Sequence, residues 1–509
     1  MVDQSMRSFL NGSESELTRR ERWAVAGLTL LALVVRLIHL DYRGMWTDEF
    51  HTLNAVLLPW GNLITERLRA GHLPTYFLFM KLWTGAFGTS DIALRLPSAL
   101  AGSLIVPATI YFARPWLARP FVWALAVAMC FNGTAVWASQ EARMYAMLLV
   151  AATWAHGALA RAVIRQETRA WRVYTTAALV AVALQPVMFL WVVAHGIFAF
   201  VIKKDAKLPK RRILAIMVGA VGLLIVVAIM QEKRSIDFGR ESLKEFIRDI
   251  VRSTDIILKR LGLVAFGLSA DTGRWRVLTS LLLFTCLGVA WREWRRRAHA
   301  EPTFARSLEA EFVRFCAFIV ALPVGLLFVL SLFLEHVAGN ERYLIPLAVP
   351  LWALIIWGLA ARMPTRLRDG LIVCIVLFVA VGLVRHWRDK GLGGREIVYF
   401  INRHALPNDA IVCRATPTLT RMIEHYGHRG LSVCAIPEPS RKYELDMHKA
   451  YEALTACLGQ HNRFWLVEYR GKGSFLRQLI LRHSDEFEPL KETTIQEARC
   501  VLVRRKKMP

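Results

Sequence analysis

Apolar residues along this chain gather in membrane-length runs, and short polar stretches between them carry most of the charge. Read as spans, the runs cover approximately 23–40, 93–113, 120–138, 142–163, 171–186, 188–203, 212–231, 274–292, 312–334, 342–361 and 367–386. A helix needs roughly 20 apolar residues to cross a bilayer core, so the pattern predicts about eleven transmembrane helices. The first run follows Arg19, Arg20 and Arg22 and ends in no small-residue cleavage site. It reads as an uncleaved anchor, with residues 1–22 in the cytoplasm. From that start, the clusters at Arg114 and Arg119, at Arg165, Arg169 and Arg172, at Lys203 to Arg212, at Arg292 to Arg297 and at Arg362 to Arg368 all fall inside. That is the positive-inside distribution.

Leu73–Phe87 is apolar but short, opened by His72-Leu73-Pro74 and interrupted by Lys81. A crossing there would turn every later basic loop outward, so the segment is expected to lie in the interface. A second interfacial piece is expected around Leu261–Leu268. The loop 41–92, the turn Ser139–Tyr145, the loop 232–273 and the turn Gly339–Tyr343 then share the extracytoplasmic face.

Beyond residue 388 the long runs stop. Strands are expected at 410–413, 431–435, 464–468 and 500–503, with helices near 395–405, 418–427, 444–458 and 474–483. The fold class is therefore a polytopic α-helical membrane protein: segment 1–22, a transmembrane domain 23–387 and an extracytoplasmic α/β domain 388–509. Gly391-Leu392-Gly393-Gly394 follows no strand and reads as a joint, not a dinucleotide loop.

Composition supports this: 55% of the 509 residues are hydrophobic and mean hydropathy is positive, a poor match to one soluble core. The formal charge of +25 sits in the short loops, where it reports topology, and nucleic acid is not an expected partner. Of eight cysteines, Cys130, Cys286, Cys316 and Cys374 lie in apolar runs, while Cys413, Cys434, Cys457 and Cys500 lie in the C-terminal region. No zinc spacing occurs. Disulfides within the second group are open if that region is extracytoplasmic. The glycosylation triplets at Asn11 and Asn132 read as chance matches, one before the first span and one inside an apolar run.

The candidate chemistry begins at Asp48 and Glu49, an acidic pair directly after the first span. Ionisable groups next to hydrocarbon are costly and mark function by default. The plainer reading is an interfacial helix start, where the dipole favours acids. Glu141, Arg143 and Tyr145 form a second polar cluster between apolar runs, with Glu141 and Tyr145 spaced to share a helix face. Arg342 and Tyr343 open a later span. For each of these the plainer reading is an anchor at the bilayer boundary.

Trp46-Thr47-Asp48-Glu49, His72-Leu73-Pro74-Thr75-Tyr76, Asp91-Ile92-Ala93-Leu94-Arg95-Leu96-Pro97-Ser98-Ala99, Ser139-Gln140-Glu141-Ala142-Arg143-Met144-Tyr145 and Glu341-Arg342-Tyr343-Leu344-Ile345-Pro346 occur in the order found in membrane-embedded GT-C glycosyltransferases. Over about residues 20–390 the chain resembles the branch of protein O-mannosyltransferases and lipid A aminoarabinose transferases. It departs from it at His72-Leu73-Pro74, where members often carry His-Pro-Pro or Lys-Pro-Pro.

The resemblance implies a GT-C bundle in a bacterial inner membrane. It also implies a polyprenyl-phosphate sugar as donor and a lipid, glycan or protein as acceptor. Such a transfer needs a base for the acceptor and cations for the departing phosphate. Asp48 is the expected base, with Glu49 in support. Arg342, Arg143 and His72 are expected at the donor phosphate, with Glu141, Tyr145 and Tyr343 lining the substrate site. A divalent metal held by Glu49 and His72 is left open. A lipid or glycan transporter could use the same charges along a path, but it would show paired repeats, and none is evident. An oligosaccharide ligase or polymerase would dispense with the Asp48 base.

Overall fold

The computed structural model describes residues 17–202, 218, 219, 222, 243–266, 273–301, 303–304, 307–332, 341–360, 365–388, 393–415, 417–427, 430–437, 443–469, 475–496 and 498–506. The chain forms two compact units. One joins Met1–Leu40 to Leu58–Arg388, and the other joins Asp41–Leu57 to Asp389–Pro509.

The first unit is helical. Among the described residues five helices are long and apolar enough to cross a membrane: Asp91–Ala113, Tyr145–Ile164, Val277–Ala300, Leu308–Ser331 and Arg342–Leu359. Arg119–Phe131 and Gly133–Ser139 make a sixth if the pair, bent by 50°, is one span. The runs at 171–186 and 188–203 fold as the shorter helices Ala170–Leu184 and Pro186–Phe200. Those at 23–40 and 367–386 fold as Arg19–Leu37 and Thr365–Arg388. The run at 212–231 lies outside the described residues apart from 218, 219 and 222.

The bend has a residue-level cause. Asn132 caps Gly133–Ser139, its Oδ1 accepting the Ala135 N–H at 2.9 Å, and its Nδ2 donates to Ala265 O at 2.8 Å. With both amide ends engaged and the residue fully buried, Asn132 is no glycan acceptor. Ala265 belongs to Leu243–Phe266, one helix of 24 residues where a short interfacial piece at Leu261–Leu268 was expected. The last carbonyls of any helix lack intrahelical donors. Here Thr134 Oγ1 reaches Leu263 O at 2.9 Å, and Asn132 and Trp352 share Ala265 O.

Trp60–Arg69 and Thr75–Phe87 precede the first long helix. At 13 residues the latter rises only about 20 Å, short of the roughly 30 Å hydrocarbon layer. It stops at Gly88, whose φ of +78° suits a residue without Cβ. A buried polar network holds the next turn. Arg36 Nε donates to Ser139 Oγ at 3.0 Å, Gln140 Nε2 donates to the carbonyls of Arg36 and Ile38, and Gln140 Oε1 meets His386 Nε2 at 2.7 Å. Gly102 faces the same place, since a Cβ there would lie 2.0 Å from Ser139 Oγ.

The second unit carries a five-stranded sheet of β1 (Ala410–Arg414), β2 (Ser432–Ile436), β3 (Arg463–Tyr469), β4 (Phe487–Ile495) and β5 (Ala498–Arg505) in the order β2-β1-β3-β5-β4. β2, β1 and β3 are parallel, with Pro417–Tyr426 and Tyr443–Leu458 as crossover helices, while β5 and β4 add antiparallel. Four strands were expected, and β4 is the one unforeseen. It is an edge strand buried only at Phe487, so its sequence lacks a period-two apolar face, and Pro489 sits at a register shift, which an edge tolerates.

Val412, Cys434, Phe464 and Leu466 pack with Leu454, Leu458, Leu476 and Leu479 as the core. Cys434 is bonded to Cys457 across 23 residues, and Cys413 and Cys500 remain free and buried. Asp409, just before β1, accepts from Arg463 twice at 2.7 Å, from Trp465 Nε1 at 3.0 Å and from the Leu406 N–H at 3.0 Å.

Candidate functional site

In the helical unit, guanidinium groups gather on two aromatic rings. Helix Gly133–Ser139 ends at Gln140, and the chain turns before Tyr145 starts the next long helix. Within that turn the Arg143 N–H reaches back to Glu141 O at 2.7 Å, and Arg143 O accepts from Ser98 Oγ at 2.9 Å. Glu141 and Tyr145 therefore do not share a helix face, contrary to expectation, because backbone groups of the turn bond locally and to a neighbouring side chain instead of continuing the helical ladder.

The turn aims Arg143 inward, only 3% exposed, with its guanidinium 5.8 Å from the Tyr145 ring centre and 5.6 Å from that of Phe77. Arg342 lies in the 3-10 turn Glu341–Leu347. It sits 5.5 Å from the Tyr145 ring, and its Nη1 is 3.4 Å from the Tyr145 hydroxyl. Trp137 stacks on Tyr145 at 5.9 Å.

Phe77 collects a further pair. The Arg67 guanidinium lies 5.1 Å from its centre, and the His72 ring is tilted against it at 6.0 Å. Arg67 is buried, pairs with Glu66 at 2.5 Å and leaves its Nε without a hydrogen-bond partner. The His72 N–H is held by Arg67 O at 2.8 Å. Two rings thus assemble three arginines and a histidine from separate stretches of sequence. Cation–π contact partly offsets the repulsion among such charges, and an anion would relieve it further. Glu141 is 1% exposed within the same turn, and Tyr343 is half-buried beside Arg342.

Asp48 and Glu49 belong to the other unit. They occupy the first turn of Thr47–Leu57, Glu49 buried and Asp48 partly exposed. One oxygen of Glu49 accepts the Trp46 N–H at 3.3 Å, the return half of a capping box. Glu49 therefore has a structural task at the helix start. Among the described residues no group of three or more His, Cys, Asp or Glu side chains could hold a metal. No step below involves a metal.

The crystal structure of ArnT from Cupriavidus metallidurans bound to undecaprenyl phosphate matches this chain over 94% of its length and 97% of that protein, with a TM-score of 0.50 and 14% identity. The chain has the ArnT fold. The apo state of the same ArnT gives a TM-score of 0.42 at 14% identity over 96% and 98% of the two chains. Comparison of the sequence with protein-family models and with curated proteins gave no significant match.

Of the residues singled out in the sequence, Arg143 and Arg342 meet on the Tyr145 ring, and Arg143 and His72 meet at the Phe77 ring. Arg67 and Phe77 were not singled out. Arg67 lies in a mixed helix among other charges, and one phenylalanine in a phenylalanine-rich segment carries no signal. Only folding reveals that they share a ring contact.

Proposed function

We propose that this chain is an inverting glycosyltransferase that moves a sugar from a polyprenyl-phosphate donor to an acceptor at the extracytoplasmic membrane face. The observation that carries the reading is the gathering of Arg143, Arg342, Arg67 and His72 on Tyr145 and Phe77. Such a group suits a lipid phosphate, as guanidinium forks bind phosphate oxygens in pairs. ArnT, whose fold the chain shares, was crystallised with undecaprenyl phosphate.

In the proposed step the acceptor hydroxyl attacks the anomeric carbon from the face opposite the phosphate. Asp48 takes its proton, and the bond between carbon and phosphate oxygen breaks with its electron pair leaving on the phosphate. Arg143 and Arg342 stabilise that charge where it develops. A phosphate leaves without an acid, so one carboxylate suffices, unlike the two of glycoside hydrolysis. Glu49 supports the turn that presents Asp48. Glu141 and Tyr343 border the phosphate residues in sequence and line the substrate site.

The reading includes eleven crossings from a cytoplasmic N-terminus, placing residues 388–509 outside the inner membrane. The Cys434–Cys457 bond supports that side, since disulfides persist in oxidising compartments.

Asp48→Asn keeps the shape but cannot take the proton. Turnover with polyprenyl-phosphate sugars should fall by about 100-fold or more, with donor binding and thermal melt unchanged and Glu49→Gln milder. A folded Asp48→Asn protein with wild-type turnover would remove the mechanism.

A further inference from the structure

The acidic segment lies between the first helix and the rest of the bundle in sequence, yet it groups with the C-terminal domain. Residues 41–46 have no sheet or helix ladder to satisfy their backbone, and such groups need partners elsewhere. Arg395 supplies two, donating from Nη1 to Asp41 O at 2.5 Å and from Nη2 to Tyr42 O. The Tyr426 hydroxyl accepts the Met45 N–H at 2.9 Å. On the far side of the acidic pair, Arg421 Nε donates to Asn54 Oδ1 at 2.7 Å. Between them Phe50 meets the rings of His425 and Tyr426 edge-on at 6.1 and 6.2 Å.

The sequence of the domain explains why these groups face one way. In helix Gly394–His404 the apolar residues Ile397, Val398 and Ile401 are fully buried. Arg395 and Asn402 leave by another face, and Asn402 Nδ2 fixes the end of helix Pro417–Tyr426 through Tyr426 O at 3.0 Å. Gly44 permits the close approach, because a Cβ there would lie 2.7 Å from the Arg395 Cβ.

We propose that the C-terminal α/β domain is the positioning element for Asp48, with Arg395 and Tyr426 holding the backbone before it and Arg421 holding the Asn54 side chain after it. The proposal rests on the reading of Asp48 as the base. The clamp residues are positioning residues that take no part in proton transfer. They fix the first turn of Thr47–Leu57 on the C-terminal domain, so the carboxylate keeps one place on that domain before the acceptor arrives. Misplacing a reacting group by about 1 Å can cost on the order of 100-fold in rate.

The test uses the full-length protein in detergent or nanodiscs. Tyr426→Phe with Arg395→Gln removes three backbone contacts from the domain side, and Gly44→Val wedges the same contact from the loop side. Both should lower kcat about 10- to 100-fold and leave the donor KM within about twofold. Hydrogen exchange should quicken in residues 41–57 and stay unchanged in β1 and β3. Arg395→Lys, which keeps one donor, should recover part of the loss. Wild-type kcat in both variants, or unaltered exchange in 41–57, overturns the clamp while Asp48→Asn stays inactive in the same assay. Wild-type turnover by Asp48→Asn instead removes the base, and the proposal with it.

Discussion

Tyr145 is the residue on which the proposed phosphate site turns, because it touches both arginines that the sequence places about 200 positions apart. Its ring lies under Arg143 and Arg342, and its hydroxyl contacts Arg342. A guanidinium can stack on that ring and still present a planar fork to phosphate, whereas an ammonium offers charge alone. Arg342→Lys should therefore raise the KM for polyprenyl-phosphate sugar about tenfold and Arg342→Ala nearer 100-fold, in line with the roughly 1.5–3 kcal/mol of charged hydrogen bonds. The measurement is donor titration at saturating acceptor, and equal, near-wild-type constants in both variants would exclude Arg342 from the site. At this scale the sequence was informative wherever a charge interrupts an apolar run. It was silent at Arg67 and Phe77, whose meaning is a shared contact.

At the scale of elements, β1 depends on a polar anchor as well as on its apolar face. Burial alone would raise the carboxyl pKa of Asp409, but the hydrogen bonds from Arg463, the Leu406 N–H and Trp465, with the charge of Arg463, hold it below its ordinary 3.8. A depressed carboxylate contributes stability that is fully present above the unfolded value and lost as pH falls through the folded one. The C-terminal domain should accordingly lose stability on acidification below about pH 4. Asp409→Asn should cost about 2 kcal/mol at pH 7 and flatten that acid limb. Thermal melts of the full-length variant across pH 3–7 would measure both, and an acid limb as steep as in the wild type would discount Asp409. The strands rich in buried apolar residues were legible from sequence, and the edge strand β4 was not. The turn before Tyr145 was also legible, but not that Glu141 and Tyr145 lie off a common helix face or that Ser98, 45 positions away, bonds its backbone.

For the whole molecule, the topology decides which solutes reach the site. The proposed topology puts the C-terminal domain outside, so a cysteine placed near residue 506 should react with an impermeant maleimide in intact spheroplasts. Labelling only after rupture would reverse the orientation. It would also disqualify a lipid-linked donor on the outer face and reopen cytosolic sugar donors.

The sequence by itself determined the helical membrane character, the side expected for the polar turns, the α/β tail and most of the charged candidates. Each of these follows from local quantities: run length, alternation, the cost of a charge beside hydrocarbon and the position of basic residues. Only the tertiary structure decided that Asp41–Leu57 packs with residues beyond 388, that Arg67 and Phe77 join the arginine cluster, and that Cys434 pairs with Cys457. Those outcomes depend on contacts between residues far apart in the chain. A loop such as 41–46 has polar backbone that many partners could satisfy, and which partner does so is fixed only when the rest of the domain has folded.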